Sequence, residues 1–72
     1  MNDAYVSFIQ DVVISIHANI RELRDRKNFA DPEEQAYIDG KLMAYQEVDS
    51  LLRSSAREFN LPAEELGLAK KQ

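Results

Sequence analysis

The side chains that could carry out chemistry are few, and their spacing does not assemble a reactive group. His17 is the single histidine, and the absence of cysteine excludes thiolate nucleophiles and thiolate metal ligands. The carboxylates of Asp31, Glu33 and Glu34 cluster, but capping of a helix start explains this spacing. The sequence has no glycine-rich phosphate loop, nucleophile elbow or HExxH segment. We therefore predict a protein that is not an enzyme, with no catalytic, metal-binding or cofactor-binding residues, no cofactor and a structural or solvent-facing His17.

The basic residues are concentrated in one short stretch, RELRDRK, at residues 21–27. Arg21, Arg24 and Lys27 lie where cations stabilise the carboxyl end of a helix, and Glu22 and Asp25 dilute their charge. The same three cations are candidate docking residues for an acidic partner or a phosphate backbone. The net charge of −4 nevertheless argues against general affinity for nucleic acid or anionic membranes, because both require a basic excess.

Two long segments repeat apolar residues at steps of three and four, which is the period of an α-helix. The first helix is predicted at about residues 3–27, with no interior glycine or proline. The second is predicted at about residues 32–59. Asp31 is its expected N-cap, Pro32 suits the first helical position, and Glu34 completes a spacing similar to a capping box.

After the second helix the pattern predicts a short helical turn at about residues 62–66. Asn60 can close the helix, Pro62 cannot continue it smoothly, and Gly67 ends the short turn. Three leucines can then fold back onto the helices: Leu61, Leu66 and Leu68. The whole chain, residues 1–72, is expected to form one domain.

The short link between the two helices predicts an all-α fold, an antiparallel helical hairpin. The apolar arcs of the helices span roughly 160° and 180°, two to three times the width that a single pair of helices buries. A domain of 72 residues without disulfides is also marginally stable by itself. We therefore predict that two hairpins associate as a homodimeric four-helix bundle.

The residues predicted to form the core and the dimer interface lie in these two arcs. Gly40 is expected to admit a bulky residue from the facing helix, with a close dimer crossing at Gly40 and Ala44 as the alternative. Lys41 and Asn19 interrupt the arcs at one level and form a candidate polar pair that fixes register, unless Lys41 extends to solvent. Asp49 is expected at an exposed edge, with membership of such a polar network as the alternative. The full set is Ile9, Val12, Ile16, Asn19, Gly40, Lys41, Leu42, Ala44, Tyr45, Val48 and Leu52.

The run YIDGKLMAYQEV at residues 37–48 resembles a motif of small, uncharacterised bacterial and phage helical-hairpin proteins, approximately Tyr-x-x-Gly-Lys-Leu-x-Ala-Tyr-x-x-Val. The predicted architecture also resembles Rop-type hairpin dimers, which bind paired RNA loops through a basic face. The motif implies no particular activity. RNA binding is not expected here, because the outward positions of the first helix carry no positive charge before Arg21. Those positions are Ser7, Gln10, Asp11, Ile14, Ser15 and Ala18.

These patterns favour a non-enzymatic interaction or adaptor protein that acts as a homodimer and binds a further protein. No apolar run approaches the roughly 20 residues that a bilayer requires, and MNDAYVSF lacks the basic opening of a signal peptide, so we expect a cytoplasmic protein without a membrane partner. Two alternatives stay open. One is a nucleic-acid-binding regulator that uses the basic cluster with Arg53 and Arg57; the other is an acidic inhibitor that mimics nucleic acid.

Overall fold

The computed structural model describes residues 3–69, and within this range the chain is all-helical, with no β-strand. Helix α1 spans Asp3–Lys27 and helix α2 spans Pro32–Glu58. The two helices lie side by side in a hairpin of about 45 × 20 × 16 Å. The predicted helical hairpin is therefore confirmed. Residues 1–2 and 70–72 of the predicted domain lie outside the described residues.

The turn between the helices is held by the residues that begin α2. Asp31 is the N-cap, and its carboxylate accepts a hydrogen bond from the backbone N–H of Glu34 at 2.8 Å. The side-chain amide of Gln35 donates to the carbonyl oxygens of Ala30, at 3.0 Å, and Lys27, at 3.4 Å. These bonds satisfy carbonyl groups that the end of α1 would otherwise leave open. The link between the helices can be short because residues at the start of α2 supply the hydrogen bonds that hold the turn.

Two apolar clusters make up the core, and a polar layer separates them. The cluster near the turn consists of Ile20, Leu23, Ile38 and Leu42, with Ile16, Ala30 and Tyr45 packed against it. The cluster near the open end of the hairpin consists of Val13, Ala56, Leu66 and Leu68, with Ile9, Leu52 and Leu61 packed against it. Between them lie the buried side chains of His17 and Asp49.

The chain after α2, residues 61–69, turns back along the hairpin, and we call it the C-terminal segment. Phe59 caps α2 and Asn60 takes a positive φ of 57°, which asparagine tolerates better than most residues. The N–H of Leu61 then bonds to the carbonyl of Ala56 at 2.8 Å, the six-to-one bond of a Schellman motif.

The same motif recurs at the end of the turn over residues 63–67. Gly67 has φ of +79°, and the N–H of Leu68 bonds to the carbonyl of Ala63 at 2.8 Å. A methyl group on Gly67 would also lie 3.4 Å from Cγ1 of Val13. Two residues with a left-handed backbone conformation, Asn60 and Gly67, therefore set the direction of the C-terminal segment. The reversal at Gly67 allows Leu66 and Leu68 to pack against Val13.

Candidate interaction surface

Helix α2 has two apolar sides, of which only one faces α1. Ile38 and Leu42 are buried against α1, whereas Leu51 is 66% exposed and Phe59 is 72% exposed; Val48 is exposed as well. At about 100° per residue, the exposed group lies roughly a quarter to a third of a turn from the buried group. One hairpin therefore covers only part of the apolar arc of α2.

The exposed side of α1 lies beside that of α2. Near the open end of the hairpin, a concavity that the C-terminal segment borders is lined by Ile9 of α1, by Leu52 and Phe59 of α2, and by Leu61, Leu66 and Leu68. The side-chain amide of Asn19 donates a hydrogen bond to the hydroxyl of Tyr45 across the same side, at 3.0 Å. We call this joint surface the open face. It consists of Tyr5, Phe8, Val12 and Ile16 on α1 and Tyr37, Ala44, Val48, Leu51 and Phe59 on α2.

The area that the hairpin exposes is large for a protein of its size. The accessible surface is 5423 Å², whereas surface scaling gives about 4,600 Å² for a compact monomer of 72 residues. The excess of roughly 800 Å² reflects the elongated shape of the hairpin, 45 × 20 × 16 Å, in which both helices keep much of their surface in contact with solvent.

The opposite side of the hairpin is covered by the C-terminal segment near the open end. Leu66 and Leu68 are buried there. The side-chain amide of Gln10 donates to the carbonyl of Glu65 at 2.6 Å, and the guanidinium of Arg53 donates to the carbonyl of Leu68. The molecule therefore covers one apolar side with its own chain and leaves the open face to solvent.

The polar layer in the core consists of residues that the sequence did not place together. Nε2 of His17 lies 2.9 Å from Oδ1 of Asp49, and Nε of Arg53 donates to Oδ2 of Asp49 at 2.7 Å. The expectation that Asp49 is exposed is wrong, because its side chain lies between α1 and α2, where both oxygens find donors. His17 has the structural position that was one of its two predicted alternatives. Because Arg53 also donates to the carbonyl of Leu68, the polar layer holds the C-terminal segment in place.

Burial alone would raise the pKa of the Asp49 carboxyl, but the hydrogen bonds from Arg53 and His17 and the charge of Arg53 outweigh it and hold the pKa below the ordinary 3.8. The folded state therefore favours the carboxylate. Its stabilising contribution is complete above the unfolded value and is lost as the pH falls through the lower folded value.

We expect the unfolding free energy to fall more steeply in the wild type than in Asp49→Asn as the pH drops below about 4, since asparagine cannot take up this proton. Urea unfolding at a series of pH values between about 5 and about 2, followed by helix content, measures the difference. Parallel pH profiles for the two proteins would contradict the assignment.

The prediction for Gly40 needs correction. Gly40 does not admit a residue from α1: it is exposed, and a methyl group built on it would meet no atom of α1 within 4 Å. The width of an apolar arc on a helical wheel does not show which edge of the arc faces the neighbouring helix. Of the two alternatives for Lys41 and Asn19, the structure shows the second: Lys41 is exposed, with its ammonium 5.2 Å from the ring centre of Tyr37, and Asn19 pairs with Tyr45.

The remaining predicted interface residues divide between core and open face. Leu42 is buried against α1, while Ile9, Leu52 and Tyr45 are half-buried at the boundary. The others, Val12, Ile16, Ala44 and Val48, belong to the open face.

The basic residues are partly neutralised within the chain. Lys27 forms an ion pair with Asp39 at 2.7 Å, and Arg53 is held between Asp49 and the C-terminal segment. Arg21, Arg24 and Arg57 are exposed. The cations proposed for nucleic-acid contact thus do not form one free surface.

The described part of the chain, residues 3–69, contains no group of three His, Asp or Glu side chains placed to hold a metal ion. Within the same range, neither helix combines the length and apolar character required to cross a membrane.

Comparisons with protein-family models, curated proteins and solved structures give no match for this chain. The function must therefore be inferred from the surface itself.

Proposed function

We propose that this protein is a non-enzymatic interaction protein that acts as a homodimer, in which two hairpins join their open faces to form a four-helix bundle. The observation that supports this most directly is the asymmetry of the hairpin. One apolar side is covered by the C-terminal segment, and the other exposes the large side chains of Tyr5, Phe8, Leu51 and Phe59. Monomeric soluble proteins seldom leave a large contiguous apolar surface exposed to water.

A second copy is the occupant that this surface fits best. The surface extends over both helices, and helical hairpins with wide apolar arcs bury them by pairing into bundles. In such a dimer the outer, polar sides of the four helices would be presented to any further protein.

The proposal predicts different effects for two substitutions that are equivalent in the single chain. Leu51 is 66% exposed on the open face and Ile14 is 64% exposed on the other side of the hairpin. Leu51→Glu should dissociate the dimer, because it buries a charge at the interface, and Ile14→Glu should leave it intact. Sedimentation equilibrium over a concentration series, with helix content measured on the same samples, gives the mass of each variant.

The outcomes are distinct. Two chains for the wild type and Ile14→Glu but one helical chain for Leu51→Glu is the expected result. A wild-type mass of one chain at every concentration would overturn the homodimer. Equal masses for the two variants would place the contact elsewhere than on the open face.

A further inference from the structure

The C-terminal segment is held to the hairpin at two of its backbone carbonyl groups, and each helix holds one of them. Gln10 of α1 donates its side-chain amide to the carbonyl of Glu65 at 2.6 Å. Arg53 of α2 donates its guanidinium to the carbonyl of Leu68. Both acceptors belong to the backbone, so these two contacts depend on the side chains of the two donors.

The apolar contacts of the segment are confined to one half of the core. Leu66 and Leu68 are buried with Val13 and Ala56, and Leu61 packs against the same cluster. The cluster near the turn consists of residues of α1, α2 and the turn alone. The hairpin therefore keeps that half of its core when the segment moves away.

The segment is also a compact unit by itself. Within its turn, the N–H of Leu66 bonds to the carbonyl of Pro62 at 3.3 Å and the N–H of Leu68 bonds to that of Ala63 at 2.8 Å. It joins α2 through Asn60, an exposed residue with φ of 57°. Segments that bury few residues open locally, as cooperative units, at a lower free energy than the core of the protein.

Arg53 connects this segment with the polar layer of the core. Its Nε donates to Oδ2 of Asp49 at 2.7 Å, and Oδ1 of Asp49 lies 2.9 Å from Nε2 of His17. A guanidinium carries its donors in a rigid, planar fork, so the bond at Nε fixes the direction in which Nη1 points. That direction leads to the carbonyl of Leu68. The polar layer thus orients the side chain that holds the segment.

We propose that the C-terminal segment opens and closes as one unit, like a strap, while the hairpin stays folded, and that Arg53 fastens it in the closed state. When closed, the segment covers Val13 and Ala56. When open, it leaves these two residues facing solvent, so the chain gains a second exposed apolar side. The inference does not depend on the proposed homodimer, because it concerns contacts within one chain.

Amide hydrogen exchange under native conditions, resolved by residue with NMR, measures this opening. The N–H of Leu61 loses its bond to the carbonyl of Ala56 when the segment swings away. The N–H of Leu68 loses its protection as well, because so short a turn does not persist by itself. The amides of Ile20 and Leu42, in the cluster near the turn, report on the hairpin.

We expect the amides of Leu61 and Leu68 to share one protection factor, which lies roughly tenfold or more below that of the hairpin amides. Equal protection of segment and hairpin would overturn the inference, because the segment would then open only with the whole fold. Segment amides without any protection would overturn it too, because they would show that there is no closed state.

Arg53→Lys tests the fastening role, because lysine keeps a positive charge beside Asp49 but lacks the fork that binds two acceptors in fixed directions. The protection of the segment amides should fall roughly tenfold, while that of the hairpin amides stays within about twofold. Arg57→Lys, at an exposed position one turn further along α2, is the matched control and should change neither. Unchanged segment protection in Arg53→Lys would contradict the role of Arg53.

Gln10→Ala tests whether the segment moves as a unit. The substitution removes the bond to the carbonyl of Glu65, in which the amides of Leu61 and Leu68 take no part. A unit requires that both amides lose protection by the same factor, roughly threefold for one neutral hydrogen bond. A loss confined to the residues next to Glu65 would indicate fraying and overturn the unit.

The chain contains no cysteine, so an introduced thiol reports directly on the surface beneath the segment. Val13→Cys lies there at a position that is 1% exposed. Its modification by a thiol reagent should depend only weakly on urea below the unfolding transition, because opening of the segment exposes little surface. Arg53→Lys in the same chain should accelerate it roughly tenfold. A modification rate that follows the global unfolding curve at every urea concentration would overturn the inference.

Discussion

Asp49→Ala is expected to lower the free energy of unfolding by about 3 kcal/mol. The substitution removes the acceptor for the buried His17 ring and for Arg53, and a buried donor without a partner costs more than the bond itself contributed. Arg53 also donates to the carbonyl of Leu68, so the C-terminal segment should loosen as well. Urea unfolding followed by helix content measures the loss.

Asp39→Ala is the matched control for this substitution. It removes the ion pair between Asp39 and Lys27, whose side chains are both about half exposed, and an exposed pair contributes less than about 1 kcal/mol. Equal losses for the two variants would mean that the layer between the two apolar clusters adds nothing through its burial.

Ile38→Ala is expected to cost about 4 kcal/mol, within the range measured for truncation of large buried aliphatic side chains. Ile38 is fully buried between α2 and α1, where it contributes to the cluster with Ile20, Leu23 and Leu42. A domain of this size has few such residues, so the remaining core cannot compensate for the cavity. Thermal and urea unfolding of the variant should show most of the folded population lost.

Ile14→Ala is the comparison for the core substitution. Ile14 is 64% exposed on α1, so its truncation removes little buried area and should change stability by less than about 0.5 kcal/mol. Similar losses for the two variants would indicate that Ile14 is covered in solution, and would thus reveal a contact on the side of the hairpin that the open face does not include.

The start of α2 could be predicted from the sequence because the signals are local. Asp31, Pro32 and Glu34 lie within four residues and act on the same backbone groups, so no knowledge of the rest of the fold is needed. The hairpin followed from the short link for the same reason. Local chemistry of this kind also allowed the closure of α2 at Asn60 to be anticipated.

The pairing of His17 with Asp49 could not be predicted in this way, because the two residues are 32 positions apart. Their contact depends on the register of α1 against α2, which side-chain packing sets. A signal was nevertheless present. His17 lies four residues after Val13 and three before Ile20, so it belongs to the buried row of α1 and requires a polar partner at the same level.

The empty space at Gly40 was missed for a different reason. A helical wheel shows how wide an apolar arc is, and both edges of the arc of α2 look alike in the sequence. The structure distinguishes them, because Leu42 faces α1 and Gly40 faces solvent. The width of the apolar arc could be read from the sequence, whereas the direction in which the arc faces depends on where α1 lies.

The position of the C-terminal segment has a consequence for how large an assembly can grow. Copies of a chain with two exposed apolar sides can associate without limit into a filament, since each added copy exposes another apolar side. Here Leu66 and Leu68 occupy one side, so the proposed association through the other side would end at two chains. The nine residues of the C-terminal segment would thereby limit the size of the assembly, and their removal would expose a second apolar side.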